Sequence, residues 1–158
     1  MEAHAHIRRM QPEDYEQAYD LWTRTPGMHL HSLNNTYGGI ALLLSKNPDS
    51  CFVAIDDDGA VIATALGATD GRKGYLYHVA VDEQWRGHGI GTKLLAALAA
   101  EARARGYAEL RLEVIEENTR ARALYEREGF SAVASQSTGL LRWVFGFRGA
   151  TTMVRRVA

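Results

Sequence analysis

The segment Arg86-Gly87-His88-Gly89-Ile90-Gly91 follows the apolar run Tyr75 to Val81 and precedes a Leu/Ala-rich stretch beginning at Thr92, an order that reads as strand, glycine-rich turn, helix. No other feature of the chain constrains the fold as much. Glycine takes the left-handed backbone that a tight turn needs. It also leaves amide N–H groups unobstructed at the positive end of the following helix, a ready site for phosphate oxygens. Two common phosphate loops do not fit. A Walker A loop has Gly where Arg86 stands and ends Gly-Lys-Ser/Thr, whereas Thr92-Lys93 reverses the final pair. The dinucleotide fingerprint fails because its third glycine position is Thr92. What remains is Arg-x-x-Gly-x-Gly, from Arg86 through Gly89 to Gly91, directly after Val79-Ala80-Val81-Asp82.

A second informative stretch lies downstream. Asn118-Thr119-Arg120-Ala121-Arg122-Ala123-Leu124-Tyr125-Glu126-Arg127-Glu128-Gly129-Phe130 reads as a helix that opens at Asn, carries Tyr and closes at Gly-Phe. The elements around these two motifs follow from periodicity. His6 to Met10 reads as a first strand, and Pro12-Glu13-Asp14 suits a helix's first turn. Tyr15, Ala18, Tyr19 and Trp22 follow at helical spacing until Thr25-Pro26-Gly27; Tyr37, Ile40, Ala41 and Leu44 give a second stripe before Asn47-Pro48. Cys51 to Ile55 and Ala60 to Ala68 flank Asp56-Asp57-Asp58-Gly59 as a hairpin, and Gly74 to Val81 is the next antiparallel partner. A helix from about Ile90 to Arg105 turns Ile90, Leu94, Leu95, Leu98 and Ala102 to one face and ends at Gly106. Glu109 to Val114 alternates Leu110, Leu112 and Val114, and a helix crossing from the preceding strand makes the two strands parallel. After the Asn118–Glu128 helix, Phe130 to Ala134 and Leu140 to Val157 supply one or two antiparallel strands, interrupted between Gly146 and Gly149.

Composition narrows the class. A chain of 158 residues fits one domain that buries roughly 68–70% of its unfolded surface. Eighteen Lys and Arg against nineteen Asp and Glu leave a net charge of −1, without the basic surplus of a nucleic-acid or anionic-membrane binder. No segment reaches the roughly 18 apolar residues of a membrane span, and Met1 to Arg9 lacks the apolar core of a secretory leader. The lone Cys51 cannot form an internal disulfide and reads as a buried strand residue. These features point to a cytoplasmic protein. His4, His6, His29 and His31 have no recognised ligand spacing, so no metal is expected.

The two motifs, in this order, resemble the signatures of the GNAT superfamily of N-acetyltransferases over about Tyr75 to Phe130. The resemblance implies a mixed α/β domain across residues 1–158: a mostly antiparallel sheet flanked by helices, with a splayed parallel strand pair holding acyl-CoA. It implies transfer of an acetyl group from acetyl-CoA to an amine, on a protein N-terminus, a lysine or a small molecule, by direct attack in a ternary complex. It also makes a homodimer plausible. Backbone contacts to the pantetheine arm are implied at Val79, Ala80 and Val81, and pyrophosphate contacts at Arg86, Gly87, His88, Gly89, Ile90, Gly91 and Thr92. Asn118 doubles as helix N-cap and cofactor contact.

For the chemistry, Tyr125 is the candidate general acid, since a phenol donates at neutral pH from a helix that begins beside the cofactor. An amine of lysine type holds its proton to about pH 10.4, so a base is needed. Glu113 resembles the base of the ribosomal-protein N-terminal acetyltransferases, and by alternation it points opposite Leu112 and Val114. His78, Asp82, Glu116, Glu117 and a water chain are alternatives. The acceptor site falls to Thr25–Tyr37 and Ser135–Phe147, with His29, His31, Trp143, Phe145 and Phe147 as candidate lining residues, the aromatics equally readable as core or interface. The rival from another class is a CoA-binding regulatory or scaffold domain that no longer turns over.

Overall fold

The computed structural model describes residues 4–28, 30, 33–137, 139 and 149–157. Among them, seven strands form one sheet and four α-helices pack on it. The strands are β1 (Ala5–Arg9), β2 (Cys51–Asp56), β3 (Val61–Thr69), β4 (Gly74–Val81), β5 (Glu109–Ile115), β6 (Ser131–Ser137) and β7 (Gly149–Arg156). The helices are α1 (Tyr15–Thr23), α2 (Tyr37–Lys46), α3 (Ile90–Ala104) and α4 (Thr119–Arg127). The sheet order is β1-β2-β3-β4-β5-β7-β6, antiparallel throughout except for the β4–β5 pair. That pair is parallel because α3 carries the chain back across the sheet between them, as the sequence led us to expect.

Two apolar layers sandwich the sheet, and strand alternation feeds both. From β2, Cys51, Val53 and Ile55 turn toward Leu21 and Trp22 of α1 and Ile40 and Leu44 of α2. Phe52 and Ala54 turn the other way, toward Leu94, Leu95, Leu98 and Ala102 of α3. Leu110, Leu112 and Val114 of β5 join this second layer, with Tyr125 of α4 and Met153 of β7. Cys51 is buried, and its thiol is pushed up to about 11 by desolvation, so it is an inert core group.

Several elements differ in detail from the sequence reading. The first strand begins one residue earlier, at Ala5, and Pro12–Asp14 forms a separate 3-10 turn in front of α1. Asp14 is held there by Arg8, whose two terminal nitrogens each donate to one carboxylate oxygen at 2.8 Å. Tyr37, expected on the buried stripe of α2, is 56% exposed and instead meets the edge of Tyr15 at 5.6 Å. The strand expected at Phe130–Ala134 runs from Ser131 to Ser137; of the stretch expected from Leu140 to Val157, Gly149–Arg156 is strand, and residues 140–148 lie outside the described residues. No helix among the described residues is long and apolar enough to cross a membrane.

Candidate active site

The site grows from an irregularity in the middle of the sheet. β4 and β5 pair only at Gly74↔Leu110 and Tyr75↔Arg111; beyond Tyr75 the two strands have no ladder pairs. On its other side β4 stays joined to β3, but Leu66 faces Tyr77 and Thr64 faces Ala80, so His78 and Val79 together oppose the single Ala65. This is a β-bulge, which bends and re-aims a strand. His78 carries the strain of it with φ at +52°, a left-handed conformation uncommon outside glycine. The bulge is pinned from below: Trp22 Nε1 donates to Thr64 Oγ1 at 2.9 Å, and Thr64 Oγ1 donates to the His78 carbonyl at 2.6 Å. One edge of β4 from Tyr77 onward therefore lines a cleft.

Two cavities open from that cleft. One, of about 610 Å³, runs between β4 (Val79, Ala80, Val81), the turn and α3 start (Arg86, Gly87, Gly89, Ile90, Gly91, Thr92) and α4. The other, of about 550 Å³, lies between β4 and β5 and is lined by Tyr75, Tyr77, His78, Arg111, Glu113 and Thr152 among others. Thr25, Pro26, Val79, Asn118, Ala121 and Tyr125 line both, so the cavities meet there.

The first cavity gathers nearly all the residues the sequence nominated for phosphate. Gly87 and Gly89 take φ of +81° and +76°, and Gly89 caps α3, which begins at Ile90. The amides at the start of α3 thus border the cavity with the positive end of a fifteen-residue helix behind them. Gly91 is placed by packing: a Cβ there would lie 3.3 Å from Leu124 of α4. Thr92 lines the cavity, but its hydroxyl donates to Glu128 at 2.6 Å. His88 does not line this cavity; its ring lies 6.1 Å from that of Trp85, and it borders a separate hollow with Ala5, Ile7 and Lys93. These are donor groups and a backbone edge fitted to a phosphorylated, extended ligand.

At the junction, Asn118 caps α4 by accepting from the Ala121 amide at 3.2 Å, and Gly27 closes on it from the α1–α2 loop. A Cβ on Gly27 would sit 2.6 Å from Asn118 Nδ2, and Gly27 itself has φ of +86°, so the approach requires glycine twice over. The loop is tied down beside it, since Arg24 reaches Asp82 at 3.0 Å. Tyr125 is 7% exposed with its ring edge toward Phe130 at 5.7 Å, and desolvation raises its phenol well above the ordinary value. It is a protonated donor across the neutral range.

The base candidates separate clearly in their surroundings. Glu113 is exposed on β5 opposite Thr152 and lines the second cavity. It faces Tyr77, whose phenol is raised first by burial, then by Tyr75 and by the Glu113 charge. His78 also lines that cavity, but its Nε2 is 2.6 Å from Asn35 Oδ1, its ring packs on Trp22 at 4.4 Å, and burial pushes its pKa down to about 4. Asp82 borders neither cavity: one oxygen accepts from the Gln84 amide at 2.9 Å and the other from Arg24. Burial works against its charge, but these hydrogen bonds outweigh it and hold the carboxyl below its usual range. Glu116 packs beside Gly149, and Glu117 lines the first cavity but not the second.

Of the acceptor candidates, Thr25 to Met28 line the second cavity, whereas His29, His31, Trp143, Phe145 and Phe147 lie outside the described residues. The sequence reading missed Tyr75, Tyr77 and Arg111. The alternation that singled out Glu113 on β5 marks Arg111 two residues earlier, so the signal was there for one of the three.

Comparison with known proteins agrees with this geometry. The family model for the acetyltransferase (GNAT) family matches residues 8–130. Among solved structures, Ard1 from Thermoplasma volcanium is 27% identical, covering 98% of each chain with a TM-score of 0.81. The ribosomal-protein-S18-alanine N-acetyltransferase from Escherichia coli is 25% identical, covering 98% of this chain and 95% of that one, with a TM-score of 0.74. A NatC complex bound to Gag peptide and CoA shares the fold at 20% identity, a TM-score of 0.78, and coverage of 98% and 99%. With the splayed parallel pair, the glycine turn at the start of α3 and a family match over most of its length, the chain belongs to the GNAT family of acetyltransferases.

Proposed function

We propose that the protein transfers an acetyl group from acetyl-CoA to an amine on a peptide or small molecule. The observation that carries this reading is the meeting of the two cavities at Asn118 and Tyr125, which gives two ligands access to one point. Acetyl-CoA supplies the acyl group, activated as a thioester. The β4 edge at Val79, Ala80 and Val81 binds the extended arm of the cofactor by backbone hydrogen bonds, as an added strand would. The amides from Gly87 to Thr92 hold its pyrophosphate, with Arg86 adding a fixed charge, and the Asn118 amide group contacts the arm. The NatC complex, a structure of the same fold, holds CoA, which supports CoA as the kind of ligand proposed.

Glu113 takes the proton from the acceptor ammonium, directly or through water, which leaves a neutral amine lone pair aimed at the junction. Tyr125 then gives its phenolic proton to the departing sulfur as the amide bond forms and the thioester bond breaks, and the second proton shed by the attacking nitrogen passes through water to restore the phenol. Burial keeps the phenol protonated before transfer and restores it afterwards, while making it a weaker acid, so the proton moves in step with cleavage of the carbon–sulfur bond. No covalent enzyme intermediate is involved: the one thiol, Cys51, is buried away from both cavities.

The test follows free thiol release from acetyl-CoA across a panel of amines and N-terminal peptides, with the wild type and Tyr125→Phe. Stimulated release is expected for the wild type, and Tyr125→Phe lowers kcat by about 10²–10⁴-fold with CoA affinity unchanged by calorimetry. Tight CoA binding with no acceptor stimulating release would favour the non-catalytic, scaffold alternative. Full turnover by Tyr125→Phe would remove the general-acid assignment.

A further inference from the structure

The β4–β5 cavity holds one charged pair. Among the described residues lining it, Arg111 is the cation and Glu113 the anion, with His78 kept neutral by burial. They stand two apart on β5, on the same face of the sheet, so their Cα atoms are roughly 6.6 Å apart. The wall around them includes Tyr75 and Tyr77 on β4, Met28 and Pro26 from the loop, and Thr152 on β7. Arg111 is incompletely used. Its Nη2 reaches Glu109 at 3.4 Å, a long contact between side chains that are 33% and 28% exposed, while its Nε is buried without a hydrogen-bond partner. A buried guanidinium N–H without an acceptor is costly and uncommon in a folded protein. Of the described side chains, only this one has a buried polar atom in that condition.

We infer that the cavity selects acceptors that carry a carboxylate a few bonds from the reacting amine, with Arg111 taking the carboxylate while Glu113 faces the amine. The inference rests on the transfer reading above and names its substrate class. A planar guanidinium matches a carboxylate by two parallel hydrogen bonds, and a few well-placed polar groups set a ligand's orientation in a cavity. Glu109 and Glu113 on either side of Arg111 disfavour a second carboxylate, so one is preferred to two. The spacing along β5 suits an ω-amino acid or a peptide N-terminus with an acidic side chain better than an α-amino acid, whose two charges sit closer together.

The experiment measures kcat/KM by thiol release on matched pairs that differ only in charge: a peptide beginning Ala-Glu against Ala-Gln, and 4-aminobutyrate against its amide. The wild type is expected to favour the acidic member of at least one pair by about tenfold or more, and which pair shows it identifies the source of the acceptor. Arg111→Gln is expected to abolish that preference through KM, leaving the neutral member within about twofold, and Arg111→Lys to restore part of it as a point charge. CoA affinity by calorimetry and the melting temperature are expected to stay as in the wild type. Equal rates on acidic and neutral members would overturn carboxylate selection while transfer itself stood. Equal loss on both members in Arg111→Gln would make Arg111 structural and overturn it too. If CoA bound and no amine of either kind stimulated release, both readings would fall.

Discussion

His78 shows how a single side chain can be read two ways until its neighbours are known. By position it flanks the point where the cavities meet, yet Asn35, Trp22 and the bulge itself hold it as a neutral, half-buried ring. Because the unfolded chain's imidazole has the ordinary value of 6.5 and the folded one is pushed down to about 4, acid favours unfolding. The stability that His78 contributes is whole above pH 6.5 and is lost as pH falls toward 4, a swing of roughly 3 kcal/mol at most. His78→Gln is expected to flatten the urea midpoint across that window; an unchanged slope would show that another group titrates. Tyr125 is the converse case, since its burial holds a proton in place, while exposed Glu113 keeps a carboxylate open to the second cavity.

At the scale of elements, α4 links the two motifs. Its N-cap, Asn118, uses Oδ1 to accept from Ala121 and presents Nδ2 toward Gly27 at the junction. Two substitutions therefore separate its roles. Asn118→Asp retains a capping oxygen and is expected to keep the melting temperature while weakening CoA binding by about tenfold, the cost of one lost donor. Asn118→Ala is expected to lose the same affinity and about 1 kcal/mol of stability as well. Equal CoA affinity in Asn118→Asp and the wild type, read by calorimetry, would confine Asn118 to capping. The same helix fixes the glycine turn from the far side, through Leu124 on Gly91 and Glu128 on Thr92.

For the whole molecule, the consequence of parting β4 from β5 is a sheet whose middle is incomplete. A ligand lying along the free β4 edge restores pairing that the chain does not supply, so binding and stability are linked. CoA at about 100 times its Kd is expected to add roughly 2.7 kcal/mol, a rise of about 5–10 °C in Tm for a chain of this size. ATP or NAD at the same concentration is expected to leave Tm in place. Hydrogen exchange is expected to slow at Val79–Val81 and Gly87–Thr92 and to stay unchanged in β1 and β2; protection spread evenly over the sheet would argue against a seat along β4.

What the sequence determined by itself was local. The strand–turn–helix at Tyr75 to Arg105, the capped helix after Asn118, the β2–β3 hairpin and the parallel pairing of β4 with β5 all follow from periodicity, glycine placement and connection length, which act over a few residues. The grouping of Val79 to Val81, most of Arg86 to Thr92 and Asn118 around one cavity was legible because a motif concentrates them in short stretches. Only the tertiary structure decided which polar side chains are spent and which remain available. Asp82 is consumed by Arg24, fifty-eight residues away, and His78 by Asn35, forty-three away, whereas Glu113 keeps an open cavity in front of it. Likewise the bulge at His78 and the loss of β5 pairing after Tyr75 arise from how three strands fit together. Alternation places a side chain on a face, but hydrogen-bond partners and burial are set by residues distant in the chain, and it is those that give a carboxylate or an imidazole its chemistry.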